Sequence, residues 1–354
     1  MKILFLVPYP TGQAASQRFR FEHYYKLLKE KNIEFRVSSF INLSTWNILY
    51  KPGNHFKKFF GITLGYLKRI RDVFSSASYD YIFIHREFTP LGPPLLEWVL
   101  AKVFRKKIIY DFDDAIWIPN YSEHNSFAYH LKNFSNTKTL CKWAYKVSCG
   151  NEYLCNFAKL YNKNVVYNPT VIDVDNHHNE LAEVHKDKFV IGWTGSHSTI
   201  TYLSEIEPVI SELEKNYDFE FHVISDKKPA FHLKSLVFKA WKKETEINDL
   251  LQFSVGLMPL TNDQWAQGKC GFKALQYMSL GIPALVSPVG VNTKIVDNGI
   301  NGFLCATADD WKNHLIKLMT DKNLLIKLSW QTRPKIEKYF SVKSNEENFL
   351  GLFK

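Results

Sequence analysis

The chain is predicted to be an α/β protein of two doubly wound domains, each a parallel sheet flanked by helices. Three observations predict this class. Short apolar runs alternate with longer stretches of helical periodicity almost from end to end. The alternation pauses once, in the polar, aperiodic stretch Asp173–Lys188, and then restarts. The length, 354 residues, exceeds one ordinary domain and suits two, each large enough to bury a core without disulfides or metals.

In the first half the strands are expected at Ile3–Val7, Glu34–Ser38, Tyr81–Ile84, Lys107–Tyr110, Lys146–Ser148 and Val165–Tyr167. Between the first two, Gln17–Lys31 places Phe21, Tyr24, Tyr25 and Leu28 at helical spacing, which predicts one helix with its polar residues outward. In the second half strands are expected at Phe189–Trp193, Glu220–Ile224, Leu236–Ala240, Val255–Met258, Ala284–Ser287 and Gly302–Leu304. The expected domains are therefore 1–170 and 188–335 with a linker at 171–187. A helix over about 336–354 is expected to return to the first domain. The opening run Lys2–Val7 stops at Pro8 with no small-residue cleavage site after it, so it reads as a buried strand rather than a signal peptide.

The segment His55–Phe74 sets Phe56, Phe59, Phe60, Tyr66, Leu67, Ile70 and Phe74 among Lys57, Lys58, Lys68, Arg69 and Arg71. Its simpler reading is a helix that buries the apolar stripe on the first sheet and solvates a basic back. Its other reading is a basic amphipathic helix resting on anionic lipid.

An apolar fraction of 45% and a charged fraction of 23% exclude a disordered or fibrous chain. The 45 basic against 35 acidic residues leave a net charge of +10, which suits a nucleoside diphosphate, an anionic membrane or nucleic acid. The five cysteines (Cys141, Cys149, Cys155, Cys270 and Cys305) are scattered without a C-x-x-C pair, arguing against zinc or a disulfide framework and for a reducing cytosol. No apolar stretch approaches the ~18 residues of a membrane span.

Chemistry concentrates after the strands. Past Val255–Met258, a helix is expected to open near Gly268–Gly271. Gly268 and Gly271 let backbone approach a ligand, and the helix start offers N–H groups and positive dipole. Lys269 and Lys273, four apart, can reach one diphosphate. Lysines there oppose the dipole, which a bound anion explains; the alternative is a surface loop with incidental lysines. The run Gly192-Trp193-Thr194-Gly195-Ser196-His197-Ser198-Thr199 makes a Gly-containing turn with Ser196 and Thr199 at a helix start, a phosphate-facing cap or merely a cap. Trp241, after Leu236–Ala240, either stacks on a base or fills core. In the first half, Pro10–Arg20 follows the first strand, with Gly12 in the loop; Arg18 and Arg20 suit bidentate binding of a phosphate, or lie on a helix surface. His85-Arg86-Glu87 and Asp111-Phe112-Asp113-Asp114 each follow a strand. Three carboxylates in four residues repel unless solvated, paired or ligand-bound, and otherwise serve turns and helix caps.

The stretch from Asp263 to Gly302, with its helix, Gly281-Ile282-Pro283, a strand, Pro288-Val289-Gly290 and Val296-Asp297-Asn298-Gly299-Ile300-Asn301-Gly302, resembles the donor site of family 4 glycosyltransferases. The resemblance implies the GT-B fold: two Rossmann-like, doubly wound domains facing a central cleft, with no cofactor or required metal. It implies a nucleotide diphosphate sugar as co-substrate, held by Gly195, Ser196, Thr199, Trp241, Lys269, Gly271, Phe272, Lys273 and Gln276. Gly12, Arg18 and Arg20 then face the acceptor. The family's E-x7-E pair falls on Gly268 and Gln276, so both glutamates are missing; Gln276 retains hydrogen-bonding atoms for a ribose hydroxyl. Where the family has a catalytic histidine, the alignment of Ile108–Tyr110 places Asp113, with His85 and Arg86 as further catalytic candidates. The implied reaction is retaining transfer to a glycan or polyprenol-linked acceptor in cell-surface polysaccharide synthesis. The implied setting is the cytoplasm or the inner face of the plasma membrane, touching anionic lipid and not nucleic acid. A nucleotide-sugar epimerase of the same fold and a non-catalytic partner of another transferase are the alternatives. Asp111-Phe112-Asp113 also fits a metal-binding D-x-D or a phosphatase nucleophile, but the first leaves the second domain unexplained and Ala115 is wrong for the second.

Overall fold

The computed structural model describes residues 1–49, 51–119, 133–184 and 186–354. The chain divides into two compact units, Met1–Thr170 with Glu346–Lys354, and Val171–Asn345. All twelve strands form where the apolar runs predict them, to within two residues at each end.

The first unit is a six-stranded sheet in the order β2-β1-β3-β4-β5-β6. Its strands are β1 (Lys2–Val7), β2 (Glu34–Ser39), β3 (Tyr81–His85), β4 (Lys107–Phe112), β5 (Lys146–Cys149) and β6 (Val165–Tyr167), all parallel. The central strands are buried on both faces, which is why they read as unbroken apolar runs. The last residues complete this core: Phe349 stacks on Tyr24 at 4.0 Å, and Phe353 meets the rings of Phe5 and Tyr81.

The second unit repeats the plan in the order β12-β11-β10-β7-β8-β9. These are β7 (Val190–Thr194), β8 (Glu220–Ser225), β9 (Leu236–Ala240), β10 (Val255–Met258), β11 (Ala284–Val286) and β12 (Gly302–Leu304), again all parallel. Strand order reverses between β7 and β10, the place where doubly wound sheets bind ligands beyond their carboxyl ends.

Three helices matter below: α1 (His55–Ser75), α2 (Phe272–Ser279) and α3 (Lys322–Tyr339). The chain leaves α3 at Phe340, inside the span expected to begin a new helix, and only Glu346–Lys354 belong to the first unit, as two short turns. The polar stretch after Pro169 is built into the second unit. Ile172 bridges Ser341, and Arg333 of α3 donates to the carbonyls of His178 (2.7 Å), Ser279 (2.9 Å) and Val174 (2.8 Å).

Two local expectations are corrected. Gln17–Lys31 is not one helix: it breaks into Ala15–Arg18, Glu22–Tyr24 and Tyr25–Glu30. The polar side chains Gln17, Arg18 and Arg20 turn inward, and the Gln17 amide exchanges 2.9 Å hydrogen bonds with both backbone groups of Tyr9. Helix α1 faces opposite to the simpler expectation. Its buried side is Gly61, Gly65, Arg69, Asp72 and Val73, while Phe56, Phe59, Phe60, Leu67, Ile70 and Phe74 are exposed. The glycines explain this: a Cβ at Gly61 would lie 2.2 Å from Thr45 Oγ1, and one at Gly65 2.8 Å from the Phe40 ring. Arg69 donates to the carbonyls of Phe88 (2.8 Å), Ser38 (3.0 Å) and Val7 (2.7 Å) and pairs with Asp72 at 3.1 Å.

Near it, Glu97 is buried with Oε2 lacking a hydrogen-bond partner, and burial raises its carboxyl to about 7. A carboxyl raised above its unfolded value helps folding most below about pH 4.5 and loses that contribution as pH climbs through 7. At pH 8 the buried charge costs about 3 kcal/mol. Glu97→Gln is therefore expected to raise the melting temperature of the first unit by roughly 5–10 °C at pH 8 and hardly at all at pH 4.5. Equal shifts at both pH values, read by calorimetry, would show that the charge is not the cause.

Candidate active site

In the first unit the carboxyl ends of β3, β4 and β5 set three polar side chains side by side. His85 is the registered partner of Asp111, and Asp111 of Ser148, so all three share one face. All are buried. His85 Nδ1 lies 2.8 Å from Asp111 Oδ2, and Ser148 Oγ donates to Asp111 Oδ1 at 2.6 Å. Arg20 closes the group, pairing with Asp111 and donating to the Asn168 carbonyl and to Ser148 Oγ.

Burial alone would push the Asp111 carboxyl up. The Arg20 guanidinium and the His85 contact outweigh it and hold the carboxyl well below the usual range. Asp111 is thus an acceptor at neutral pH, so the proton between it and His85 belongs on Nδ1. His85 Nε2 makes no hydrogen bond and lies 4.0 Å from Asp113 Oδ1. Asp111 thus fixes the orientation of the imidazole ring.

The other two carboxylates are held by Arg86, whose Nε donates to Asp113 and Nη2 to Asp114, each at 2.6 Å. Burial disfavours the Arg86 charge, but these two aspartates overcompensate and raise it further. Arg86 sits at φ 55°, a left-handed conformation that costs a non-glycine residue about 1–3 kcal/mol and concentrates at functional sites. Its backbone is pinned there: its N–H donates to Asp111 O at 2.7 Å, and its carbonyl accepts from Tyr110 Oη at 2.9 Å.

Of the expected acceptor contacts, Arg20 is corrected: it is a buried ion-pair partner of the fold. Arg18 is buried as well, its guanidinium 4.8 Å from the Phe19 ring. The Gly12 amide is taken by Glu22 Oε2 at 2.8 Å, which fixes the loop after β1.

In the second unit, α2 opens on Gly271, a left-handed residue at φ 71°. A Cβ there would lie 2.0 Å from Ile295 Cδ1, and the left-handed backbone itself calls for glycine. Tyr277 of α2 ties the helix to the switch point: Oη accepts from Thr194 N–H at 3.0 Å and donates to the Leu257 carbonyl at 3.2 Å, bridging β7 and β10. That places Phe272 and Lys273, in the first turn of α2, beside the end of β7, where Lys273 Nζ lies 5.4 Å from the centre of the Trp193 ring. The same ring lies 2.4 Å from where a Gly195 Cβ would stand, and Thr199 Oγ1 2.7 Å, so Gly195 is the residue this turn permits. Lys273, Trp193, Gly195 and Thr199 are thus brought together.

Other expected contacts sit differently. Ser196–Thr199 closes a turn through hydrogen bonds of 3.2 and 3.1 Å and leads into a 3-10 helix, Ile200–Glu205, that has no side-chain cap. Lys269 precedes α2, with Nζ 5.0 Å from the centre of the Trp265 ring. Gln276 is buried, its Nε2 without a hydrogen-bond partner. Trp241 is half-buried at the end of β9, its ring oriented by a 3.2 Å bond from Nε1 to Glu246. Sequence reasoning missed Tyr277 and the pairing of His197 with Asp226, which accepts from the His197 amide at 2.6 Å and meets its ring at 2.6 Å. Among the described residues no cluster of three or more metal-ligating side chains occurs.

Two parallel six-stranded α/β units, the second with a glycine-opened helix and a lysine at its switch point, make up the GT-B fold. Residues 188–321 match the model of the family described as glycosyl transferases group 1. Sucrose-phosphate synthase from Thermosynechococcus elongatus is similar over 100% of this chain and 98% of its own, at 11% identity and TM-score 0.72. A glycosyltransferase from Rickettsia africae ESF-5 is similar over 100% and 97%, at 14% identity and TM-score 0.68. HepE of Anabaena, in complex with UDP and glucose, is similar over 99% of both chains, at 16% identity and TM-score 0.63. At these identities the shared property is the fold. No curated protein matches the chain by sequence.

Proposed function

We propose that the protein transfers a sugar from a nucleoside diphosphate sugar to a glycan or polyprenol-linked acceptor, without a metal ion, in the assembly of cell-surface polysaccharide. The reading places it in the cytoplasm or at the inner face of the plasma membrane. The observation that carries the donor half is the Lys273 ammonium over Trp193, at a helix N-terminus opened by Gly271 and beside the Gly195 turn. Cation, helix dipole and a side-chain-free backbone converge there on a single anion. The complex of HepE with UDP and glucose supports a nucleoside diphosphate as that anion.

In this reading Lys269 and Lys273 neutralise the diphosphate, taking the part a divalent cation plays elsewhere. Ser196 and Thr199 shape the phosphate turn, and Phe272 starts the helix that carries it. The unpaired amide of Gln276 serves a donor hydroxyl, and Trp241 lends its ring to the base. In the first unit His85, oriented by Asp111, takes the proton of the acceptor hydroxyl, with Asp113 and Arg86 beside it. Retention of anomeric configuration rests on the family resemblance alone.

The test incubates UDP-, GDP- and dTDP-sugars with a polyprenyl-phosphate-glycan extract in EDTA and follows release of nucleoside diphosphate. Release from one donor, dependent on the extract, is expected. Conversion of a nucleotide sugar without acceptor would show an epimerase instead. No turnover of any donor, with or without added Mg2+ or Mn2+, would show a non-catalytic partner. Turnover only with metal would overturn the metal-free reading.

A further inference from the structure

Helix α1 presents to solvent what helices of soluble domains bury. At 100° per residue, Phe56, Phe59, Phe60, Leu67, Ile70 and Phe74 fall within an arc of about 100°. Phe56 is 91% exposed, Phe59 72% and Phe74 69%. The opposite side, with Gly61, Gly65 and the Arg69–Asp72 pair, is fully occupied by the fold, so the apolar side is not needed there. Phe74 continues the surface to the neighbouring helical segment Leu95–Val103 and the Phe104 that ends it. The Phe74 and Phe104 rings are 6.4 Å apart, and Leu95 and Trp98 are exposed beside them. An exposed apolar face of this extent marks an interaction surface.

Its charges select the occupant. Both carboxylates in the two segments, Asp72 and Glu97, are buried. The exposed charges are Lys57 and Arg71 on α1, Lys102 on the second segment and Arg105 just after it, all positive. A second copy seated face to face would set like charges against each other. An anionic bilayer satisfies both features at once, taking the aromatic stripe at the headgroup boundary and the lysines and arginines on its phosphates.

We propose that the face formed by α1 and Leu95–Phe104 docks this protein on an anionic membrane surface, with α1 lying flat in the interface for roughly 30 Å. No helix among the described residues is long and apolar enough to cross a membrane, so the contact is a peripheral one. The face supplies the contact for the inner-membrane setting proposed above and rests on that reading, and the test below reads vesicle binding, not transfer, so either can fail without the other.

The test is flotation of the full chain with vesicles of phosphatidylcholine containing about 30% phosphatidylglycerol, against pure phosphatidylcholine. The chain is expected to float with the anionic vesicles, at least about tenfold less with the neutral ones, and to be released at about 1 M salt. Phe59→Glu with Phe74→Glu, and separately Lys57→Glu with Arg71→Glu, are each expected to weaken anionic binding at least about tenfold. Their melting temperatures should stay within about 2 °C of the parent, because the side chains are exposed. Failure of the parent to bind anionic vesicles would overturn the proposal, as would equal binding to neutral ones. So would light scattering that shows a dimer dissolved by Phe59→Glu with Phe74→Glu, which would assign the face to a second copy.

Discussion

Asp111→Ala is expected to lower the melting temperature of the first unit by about 10 °C or more. The substitution leaves the Arg20 guanidinium fully buried without its counter-charge and strips the acceptor from His85 Nδ1 and Ser148 Oγ. Removing one partner of a buried ion pair costs about 3–5 kcal/mol, and a unit of this size melts roughly 2–4 °C lower per kcal/mol. The pH dependence has a definite sign. A carboxyl held below its ordinary value contributes stability above about pH 4 and loses it as pH falls toward its folded value. The gap between parent and variant should therefore be constant from pH 8 to 5 and narrow below about pH 4. Pairing Asp111→Leu with Arg20→Met should recover much of the loss, since no lone charge remains. A variant that melts with the parent would show that Asp111 does not hold this unit together.

The second large effect concerns His85. His85→Asn keeps a donor in the position of Nδ1 for Asp111 while removing the basic Nε2. Loss of a positioned general base lowers the rate of transfer by about 10²–10⁴-fold. Donor affinity should be unchanged, because the residues assigned to the donor lie in the second unit. A fall in kcat with the donor Kd intact is the expected pattern, and melting within a few degrees of the parent would separate it from unfolding. Full activity in His85→Asn would shift the base to Asp113, testable by Asp113→Asn.

These two residues also show what the sequence made legible. The strands were readable because parallel strands covered on both faces must be apolar throughout, and the polar pause after Pro169 marked the restart. His85 and the aspartate cluster were found because each follows such a strand. Which aspartate did what was not readable: Asp111 meets Arg20 across 91 residues, and only the register of β3, β4 and β5 shows that His85, Asp111 and Ser148 share a face. Arg20 read as a phosphate ligand or a helix-surface cation because the helical spacing around it continued, whereas the helix ends at Arg18 and the Arg20 guanidinium is buried against Asp111. In α1, spacing told which side chains share a face but not which face is covered. The signal was present in Gly61 and Gly65, four apart on the side opposite the aromatic stripe, where a Cβ has no room.

The donor site bears most of the functional account, and it rests on Lys273 and Lys269 at the opening of α2. Calorimetric titration of UDP, GDP and dTDP in EDTA, into the parent, Lys269→Ala and Lys273→Ala, tests it most directly. One nucleotide should bind the parent. Each variant should lose about 1.5–3 kcal/mol of binding, a drop of roughly 10- to 150-fold, with its melting temperature preserved. Parent-like affinity in both variants, or no nucleotide binding to the parent, would contradict the account.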